Sequence, residues 1–320
     1  MKKKILAVLI MVFALCLSIF TLTACAKNEP SQPSEPPHTH ISTSNNDGTK
    51  TIDCTCGLNE VVADENVLTV NDGVLTAVTD YGRTLSKIVI PSGVTNIGGS
   101  AFEGFSALTS VTIPNTVEYI SARAFYGCTS LVSVSIPDSV IVIGNVAFAY
   151  CNNLTTVTVG NGVTSIGEFA FNSCEKLTSV TLGNSVTSIG NSAFKTCSAL
   201  SDIVFSNSLK SIGNSAFEEC VSLITVTLPD SVRTIGEKSF YACIGLKNLT
   251  LSKNLKSIGD FALAGLELTH LVIPASVTNM GYFVFAYYYF TIYCEAESMP
   301  TTWNATWNPH NYPVVWGYTG

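Results

Sequence analysis

The stretch LTSVTLGNSVTSIGNSAFKTC, Leu177–Cys197, decides the fold, because the chain repeats it with small changes. The copy that precedes it is LTTVTVGNGVTSIGEFAFNSC, Leu154–Cys174, and the copy that follows it is LSDIVFSNSLKSIGNSAFEEC, Leu200–Cys220. Each copy begins 23 residues after the one before it. A fixed period of about 20–50 residues is typical of stacked repeat architectures.

The repeat extends to nine units, each beginning at a leucine. Seven steps between these leucines are 23 residues long and the last is 22: Leu85, Leu108, Leu131, Leu154, Leu177, Leu200, Leu223, Leu246 and Leu268. After each leucine, two apolar columns alternate with mostly polar residues, which is the period-two pattern of a strand. One unit cannot bury its own apolar residues, whereas stacked units bury one another and turn each column into a ladder.

The second half of each unit has its own pattern, shown by Ile189-Gly190 and Ala193-Phe194 in the central copy. It predicts a tight turn followed by a short helical turn. We expect the phenylalanine to fill the space between the two sides of the coil.

The repeat L-x-x-V-x-I-P-x-x-V-x-x-I-G-x-x-A-F-x-x-C, over about residues 84–290, resembles the BspA-type leucine-rich repeats of bacterial surface proteins. The resemblance implies an α/β repeat protein, a right-handed solenoid of nine coils of about 23 residues. It also implies a surface-exposed role in binding or adhesion, without naming a ligand. Residues 291–320 resemble the closing C-terminal cap of that family.

Residues 1–24 are expected to be a lipoprotein signal peptide. Three lysines, Lys2–Lys4, precede the apolar run Ile5–Phe20, which is shorter than the ~20 residues of a membrane-spanning helix. Leu22-Thr23-Ala24-Cys25 resembles a bacterial lipobox, which implies cleavage before Cys25 and a diacylglycerol on its thiol. The alternative is an ordinary signal peptide with a chance cysteine. A lipid-anchored protein would be exported and held at the cell surface.

Two segments separate the signal from the repeats. Residues 25–53 are rich in Pro, Ser, Asn and Gly and predict a flexible tether. Residues 54–83 predict an N-terminal cap, with two short strands around Asn71-Asp72-Gly73. The chain carries few charges, 12% of its residues, and a net charge of −7. Removing residues 1–24 deletes three lysines and no acid, which lowers the net charge to −10. This acidic balance argues against nucleic acid as a partner.

Cysteine and histidine supply the candidate metal ligands. His38, His40, Cys54 and Cys56 are of the types that zinc prefers, and a structural zinc would staple the N-terminal cap. Only one residue separates the two members of each pair, which is a tight spacing for ligands of one tetrahedral ion. The alternative is that Cys54 and Cys56 pair with each other or stay free. No other cofactor is expected.

Six further cysteines share one position of the repeat: Cys128, Cys151, Cys174, Cys197, Cys220 and Cys243. They could form disulfides in an exported protein. Phe105 and Leu266 occupy the same column, which favours the alternative, free buried thiols used as small apolar side chains.

No GxSxG, P-loop or HExxH motif is present, and a ladder repeats one group along a line instead of gathering unlike groups at a point. We therefore expect no enzyme. The candidate ligand face is an outward hydroxyl column, for a protein or glycan: Thr112, Ser135, Thr158, Thr181, Thr227 and Thr250. Because Ser and Thr also suit any exposed strand, the competing hypothesis is a structural envelope or spacer protein without a specific external ligand.

Overall fold

The computed structural model describes residues 40–45, 47, 49–54, 59–287 and 289–320, and for 40–43, 52–54 and 59–63 it describes the backbone alone. The chain forms a β-solenoid of about ten turns with coils of about 23 residues. Residues 1–39, with the predicted signal peptide, Cys25 and His38, lie outside the described part, as does Cys56. The described residues contain no helix long and apolar enough to cross a membrane.

Two antiparallel elements precede the coils. The first is a three-stranded sheet of β1 (His40–Ser44), β2 (Thr49–Cys54) and β3 (Asn59–Ala63), in that order. The second is a hairpin of β4 (Leu68–Asn71) and β5 (Val74–Val78). Its turn residues Asp72 and Gly73 have φ values of 49° and 76°, which favour Asn, Asp and Gly and match the turn that the sequence predicts.

Each coil then contributes one strand to each of two sides. The strands of the first side, which we call the face side, are β6 (Lys87–Val89), β8 (Ser110–Thr112), β10 (Ser133–Ile136), β12 (Thr156–Val159), β14 (Ser179–Thr181), β16 (Asp202–Val204), β18 (Thr225–Thr227), β20 (Asn248–Thr250) and β22 (Leu271–Ile273). The strands of the second side are β7 (Asn96–Ile97), β9 (Tyr119–Ile120), β11 (Val142–Ile143), β13 (Ser165–Ile166), β15 (Ser188–Ile189), β17 (Ser211–Ile212), β19 (Thr234–Ile235), β21 (Ser257–Ile258) and β23 (Asn279–Met280).

The strands pair in parallel and in repeat register, so that equivalent residues stack. On the face side Val157 is paired with Val134 and Val180, and on the second side Ile166 is paired with Ile143 and Ile189. The second side is a continuous sheet of eleven strands that includes β4 and β5. The face side is divided into a six-stranded sheet from β6 to β16, the pair β18–β20, and a three-stranded sheet that begins at β22.

The core is built from the predicted ladders. Leu177, Val180, Ile189 and Phe194 are buried, as are their equivalents in most coils. From Phe102 to Phe240 the phenylalanines form one stack, with successive ring centroids 4.7–5.3 Å apart and ring planes within 11° of parallel. Offset aromatic stacking adds to the free energy of apolar burial.

The third side of each coil corrects one expectation. The predicted helical turn is a run of tight turns, and the described residues contain one short 3-10 helix, Gly82–Thr84, before the first coil. Each coil has two residues with positive φ, such as Ser192 at 54° and Thr196 at 57°, and a left-handed residue interrupts a right-handed helix. The Phe194 N–H bonds to the Ala216 carbonyl of the next coil, at 2.8 Å, instead of within a helix. The fold is therefore a β-solenoid with almost no helix, not an α/β repeat.

Strands at each end extend the stack beyond the nine predicted coils. At the N-terminal end β5 pairs with β7. At the C-terminal end β24 (Ile292–Cys294) pairs with β22, and β25 (Val314–Val315) pairs with β24. These additions account for about ten turns instead of nine.

Candidate ligand-binding face

Four of the six predicted face residues lie along one groove. Thr112, Ser135, Thr158 and Thr181 line a depression of about 750 Å³ that crosses β8, β10, β12 and β14. All four side chains are exposed, because residues of a strand alternate between core and solvent. Consecutive hydroxyls lie one strand spacing apart, about 4.8 Å, so the groove offers a regular line of donors and acceptors.

The floor of the groove is apolar. It is formed by buried side chains at the carboxyl ends of the strands, Ile113, Ile136, Val159 and Leu182. Because these side chains are almost fully buried, a ligand in the groove would contact chiefly the hydroxyls and the more exposed Pro137 and Val204. This combination of an apolar floor with a few placed polar groups is common in ligand sites.

The rim consists of side-chain amides and a carboxylate, some of which accept hydrogen bonds from the backbone of the next coil. The Asn161 backbone N–H donates to Asp138 Oδ1 at 2.6 Å, and the Asn184 backbone N–H donates to Asn161 Oδ1 at 3.0 Å. These residues lie outside the face that the sequence predicts. The signal was present, because Asn or Asp follows the Pro or Gly that ends the strand at positions 115, 138, 161 and 184.

Two glycines allow the coils to approach closely beside the groove. Gly160 and Gly183 stand where the coil before them has Pro137. A Cβ on Gly183 would lie 2.2 Å from the Gly160 carbonyl oxygen, and one on Gly160 would lie 2.4 Å from the Pro137 carbonyl. Real Cβ atoms do not approach backbone this closely, so the local spacing of the coils requires glycine.

The other two predicted face residues lie elsewhere. Thr227 is in β18, which is not paired with β16, and it does not line the groove. Thr250 lines a second pocket of about 350 Å³ with His270, Glu295 and Tyr318. The face that the sequence presents as one surface is therefore divided into separate parts.

The chemistry of the groove is that of hydrogen bonding without strong charge. Asp138 is the one charged residue among those that line it. The lining therefore offers many hydrogen-bond donors and acceptors and one carboxylate.

The C-terminal aromatic residues have two different environments. Trp303 and Trp307 are buried, and the Trp303 Nε1–H donates to the Val277 carbonyl at 3.1 Å. Tyr287 and Tyr289 are exposed, while Tyr288 lies outside the described residues. The tryptophans thus pack against the end of the solenoid. Without such a cover, the last coil would expose an apolar patch.

Of the four residues predicted to bind zinc, the structure describes only two. The register of β1 with β2 places His40 opposite Cys54, whereas His38 and Cys56 lie outside the described residues. Among the residues that are described, no group of three or more His, Cys, Asp or Glu side chains could hold a metal ion. The structural zinc stays a prediction.

The repeat cysteines form a ladder of free, buried thiols in the structure. Each Sγ donates to the carbonyl of the phenylalanine 26 residues earlier, at 3.0–3.2 Å, as Cys174 does to Phe148. Burial raises the pKa of Cys174 and of Cys243 from an ordinary value of 9.0 to about 12. Burial also raises the pKa of Cys151, Cys197 and Cys220 well above that value.

These pKa shifts predict a loss of stability in alkali. A thiol whose pKa is raised by folding keeps its proton in the native state while the unfolded chain releases it above pH 9.0. The free energy of unfolding is then unaffected below pH 9.0 and falls up to about pH 12, by at most about 1.4 kcal/mol per pH unit for each thiol. Urea unfolding across this range measures the slope.

A matched variant isolates the thiols from other alkaline effects. Cys174→Ala removes one such proton, so its stability should fall less steeply with pH than that of the original chain. Equal slopes in the two proteins above pH 9.0 would contradict the assignment.

The fold and this face define a class, the β-solenoids built from leucine-rich repeats. The chain matches the family model of the BspA type leucine-rich repeat region, in six copies, over residues 80–187 and 164–291. It belongs to this family, as the sequence pattern predicts. The match indicates no enzyme family and is consistent with a non-catalytic repeat domain.

The chain is similar to several leucine-rich repeat proteins of known structure. A leucine-rich repeat protein from Bacteroides ovatus is 27% identical, with a TM-score of 0.61 over 90% of this chain and 71% of that one. Another, from T. pallidum, is 30% identical, with a TM-score of 0.48 over 60% of this chain and 80% of that one. A third, from Eubacterium ventriosum, is 26% identical, with a TM-score of 0.50 over 53% of this chain and 46% of that one. No curated protein matches the chain.

Proposed function

We propose that this chain is an exported, lipid-anchored protein of the bacterial cell surface, whose repeat domain binds an extracellular protein or glycan without catalysis. The groove of about 750 Å³ lined by Thr112, Ser135, Thr158 and Thr181 carries the proposal. Pro137 and Val204 offer a ligand apolar contact, and the hydroxyls and the polar rim offer hydrogen bonds.

The remaining parts of the proposal rest on the sequence and the family. Cys25, at the end of the apolar run, would carry the lipid, and residues 25–53 would hold the solenoid away from the membrane. We further infer that the solenoid is right-handed, and that residues 54–83 and 291–320 act as its caps.

A binding screen with groove variants tests the groove. The full-length protein is screened against extracellular-matrix proteins and surface glycans, and a saturable hit is measured again with Thr158→Lys and Thr181→Lys. Each lysine removes a groove hydroxyl and places a long charged side chain across the groove, so we expect affinity to fall about tenfold or more. Circular dichroism checks that the variants remain folded.

Thr227→Lys is the matched control, since Thr227 is an exposed threonine of the same column that does not line the groove. It should leave the affinity unchanged. Equal losses in all three variants would argue against the groove. A folded protein that binds none of the probes would favour the structural role in the envelope.

A further inference from the structure

The face side is interrupted between two neighbouring coils. In the described coils β16 pairs with β14 and β18 pairs with β20, but β16 and β18 do not pair with each other. The second side stays continuous here, because β17 pairs with β19 through Ser211 and Thr234. The phenylalanine stack is also continuous across these coils. The two coils are therefore paired on the second side and unpaired on the face side.

The hydrogen bonds show what the break leaves unpaired. Upstream of the break the Ser201 N–H donates to the Thr178 carbonyl at 3.1 Å, and downstream the Lys247 N–H donates to the Ile224 carbonyl at 3.0 Å. The equivalent bond at the break, from Ile224 N–H to the Ser201 carbonyl, is not formed among these described residues. The bond from the Phe205 N–H to the Thr227 carbonyl is also not formed in this described stretch. Its counterpart one coil earlier joins the Leu182 N–H to the Val204 carbonyl at 3.0 Å.

The break coincides with two departures from the repeat, Phe205 and Ser206, where most other coils have Ile, Val or Leu and then Pro or Gly. Phe205 occupies a column that otherwise holds Ile, Val or Leu. Its ring packs edge-on against Phe217 of the same coil, with centroids 5.9 Å apart. Ile203, two residues earlier, is half-buried, whereas its counterparts Val180 and Val226 are buried. Phe205 is also half-buried, whereas its counterparts Leu182 and Leu228 are buried, so this stretch of the coil packs less deeply than its neighbours.

The break is flanked by exposed apolar side chains. Val204 at the end of β16 is 50% exposed, and Ile224 just before β18 is 57% exposed. Val221 and Ile244 are exposed at neighbouring positions. By contrast, the first edge strand of the face side is covered, since the Val89 N–H of β6 donates to the Asp47 carbonyl at 2.5 Å. Uncovered edge strands with apolar side chains bind other strands readily.

We propose that the break between β16 and β18 is a docking site for an extended polypeptide strand with β-branched side chains. Free N–H and C=O groups on an extended edge are satisfied by another extended backbone, which supplies both kinds of group in alternation. The flanking valine and isoleucines select apolar side chains on that strand. The site goes beyond the proposed function, because it does not use the groove hydroxyls. It adjoins the groove only at Val204.

Peptide binding to the full-length protein tests this site. The probe is a fluorescein-labelled peptide with the sequence of residues 223–230, LITVTLPD, followed by two lysines for solubility. This segment contains β18, which pairs in register with β20. We expect saturable binding by fluorescence anisotropy, and slower hydrogen exchange at the Ile224 amide when the peptide is bound. A peptide with Val226→Pro, which lacks one N–H, should bind about tenfold more weakly.

Two protein variants control for the mechanism. Phe205→Ile gives the coil the residue of its neighbours, and should close the break, keep or raise thermal stability, and weaken peptide binding about tenfold. Ile224→Lys changes an exposed side chain and should weaken binding without affecting folding. Thr158→Lys, in the groove but two strands from β16, should not change peptide binding, so that failure of the groove and failure of the break are distinguished. No saturable binding, or equal binding by the Phe205→Ile variant, would overturn the proposal.

Discussion

Replacing Gly183 with alanine is expected to lower the free energy of unfolding by about 3 kcal/mol, a large effect for one methyl group. The added Cβ would lie 2.2 Å from the Gly160 carbonyl oxygen and 2.8 Å from the Asn161 Cα. Both atoms belong to backbone, so relief of the overlap requires the two coils to separate. Separation would also weaken the hydrogen bonds that join them and change the shape of the groove.

Gly93→Ala is the matched control for this prediction. Gly93 lies two residues after Pro91 in the first coil, and a Cβ there would meet nothing within 4 Å. Its effect should stay within about 0.5 kcal/mol. Unfolding in urea, followed by circular dichroism, compares the two variants with the original chain. Because stacked repeats can unfold in parts, hydrogen exchange should show whether the loss is concentrated in the coils around Gly183. Similar losses in both variants would refute the argument.

The architecture could be predicted from the sequence because each coil repeats the same physical problem. The alternation around Val180 and the position of Phe194 predict a strand and a core residue, and the structure places both as expected. The third side could not be predicted in the same way. Its conformation depends on left-handed residues such as Ser192 and Thr196, and neither is a type, like glycine, that marks positive φ in a sequence.

The candidate site was predictable in part for a related reason. The exposure of Thr158 and Thr181 follows from strand alternation alone. The division of the face does not, because Phe205 and Ser206, which coincide with it, keep the alternation of the repeat in the sequence. Nor does the exposure of a residue show whether it borders a groove, since that depends on how neighbouring coils approach, as they do at Gly160.

Replacing Phe171 with alanine is expected to cost about 3–5 kcal/mol, because this ring is fully buried in the middle of the stack. Its centroid lies 5.2 Å from that of Phe148 and 5.3 Å from that of Phe194, so the substitution removes contacts with both neighbouring coils. The cavity would be closed on both sides by rings that are themselves held by the ladder, which limits its collapse. Urea unfolding measures the loss.

Two further variants separate the stack from general apolar burial. Phe171→Leu should cost less than the alanine variant, because leucine keeps most of the volume and Leu263 fills the same position in a later coil. Phe169→Ala removes a ring of the same size that is 41% exposed, and should cost well under half as much as Phe171→Ala. If both alanine variants were equally stable, the stack would not be a principal source of cohesion between coils. The face strands, which are interrupted at β16, could not then account for that cohesion alone, and the continuous second sheet would have to hold the coils together.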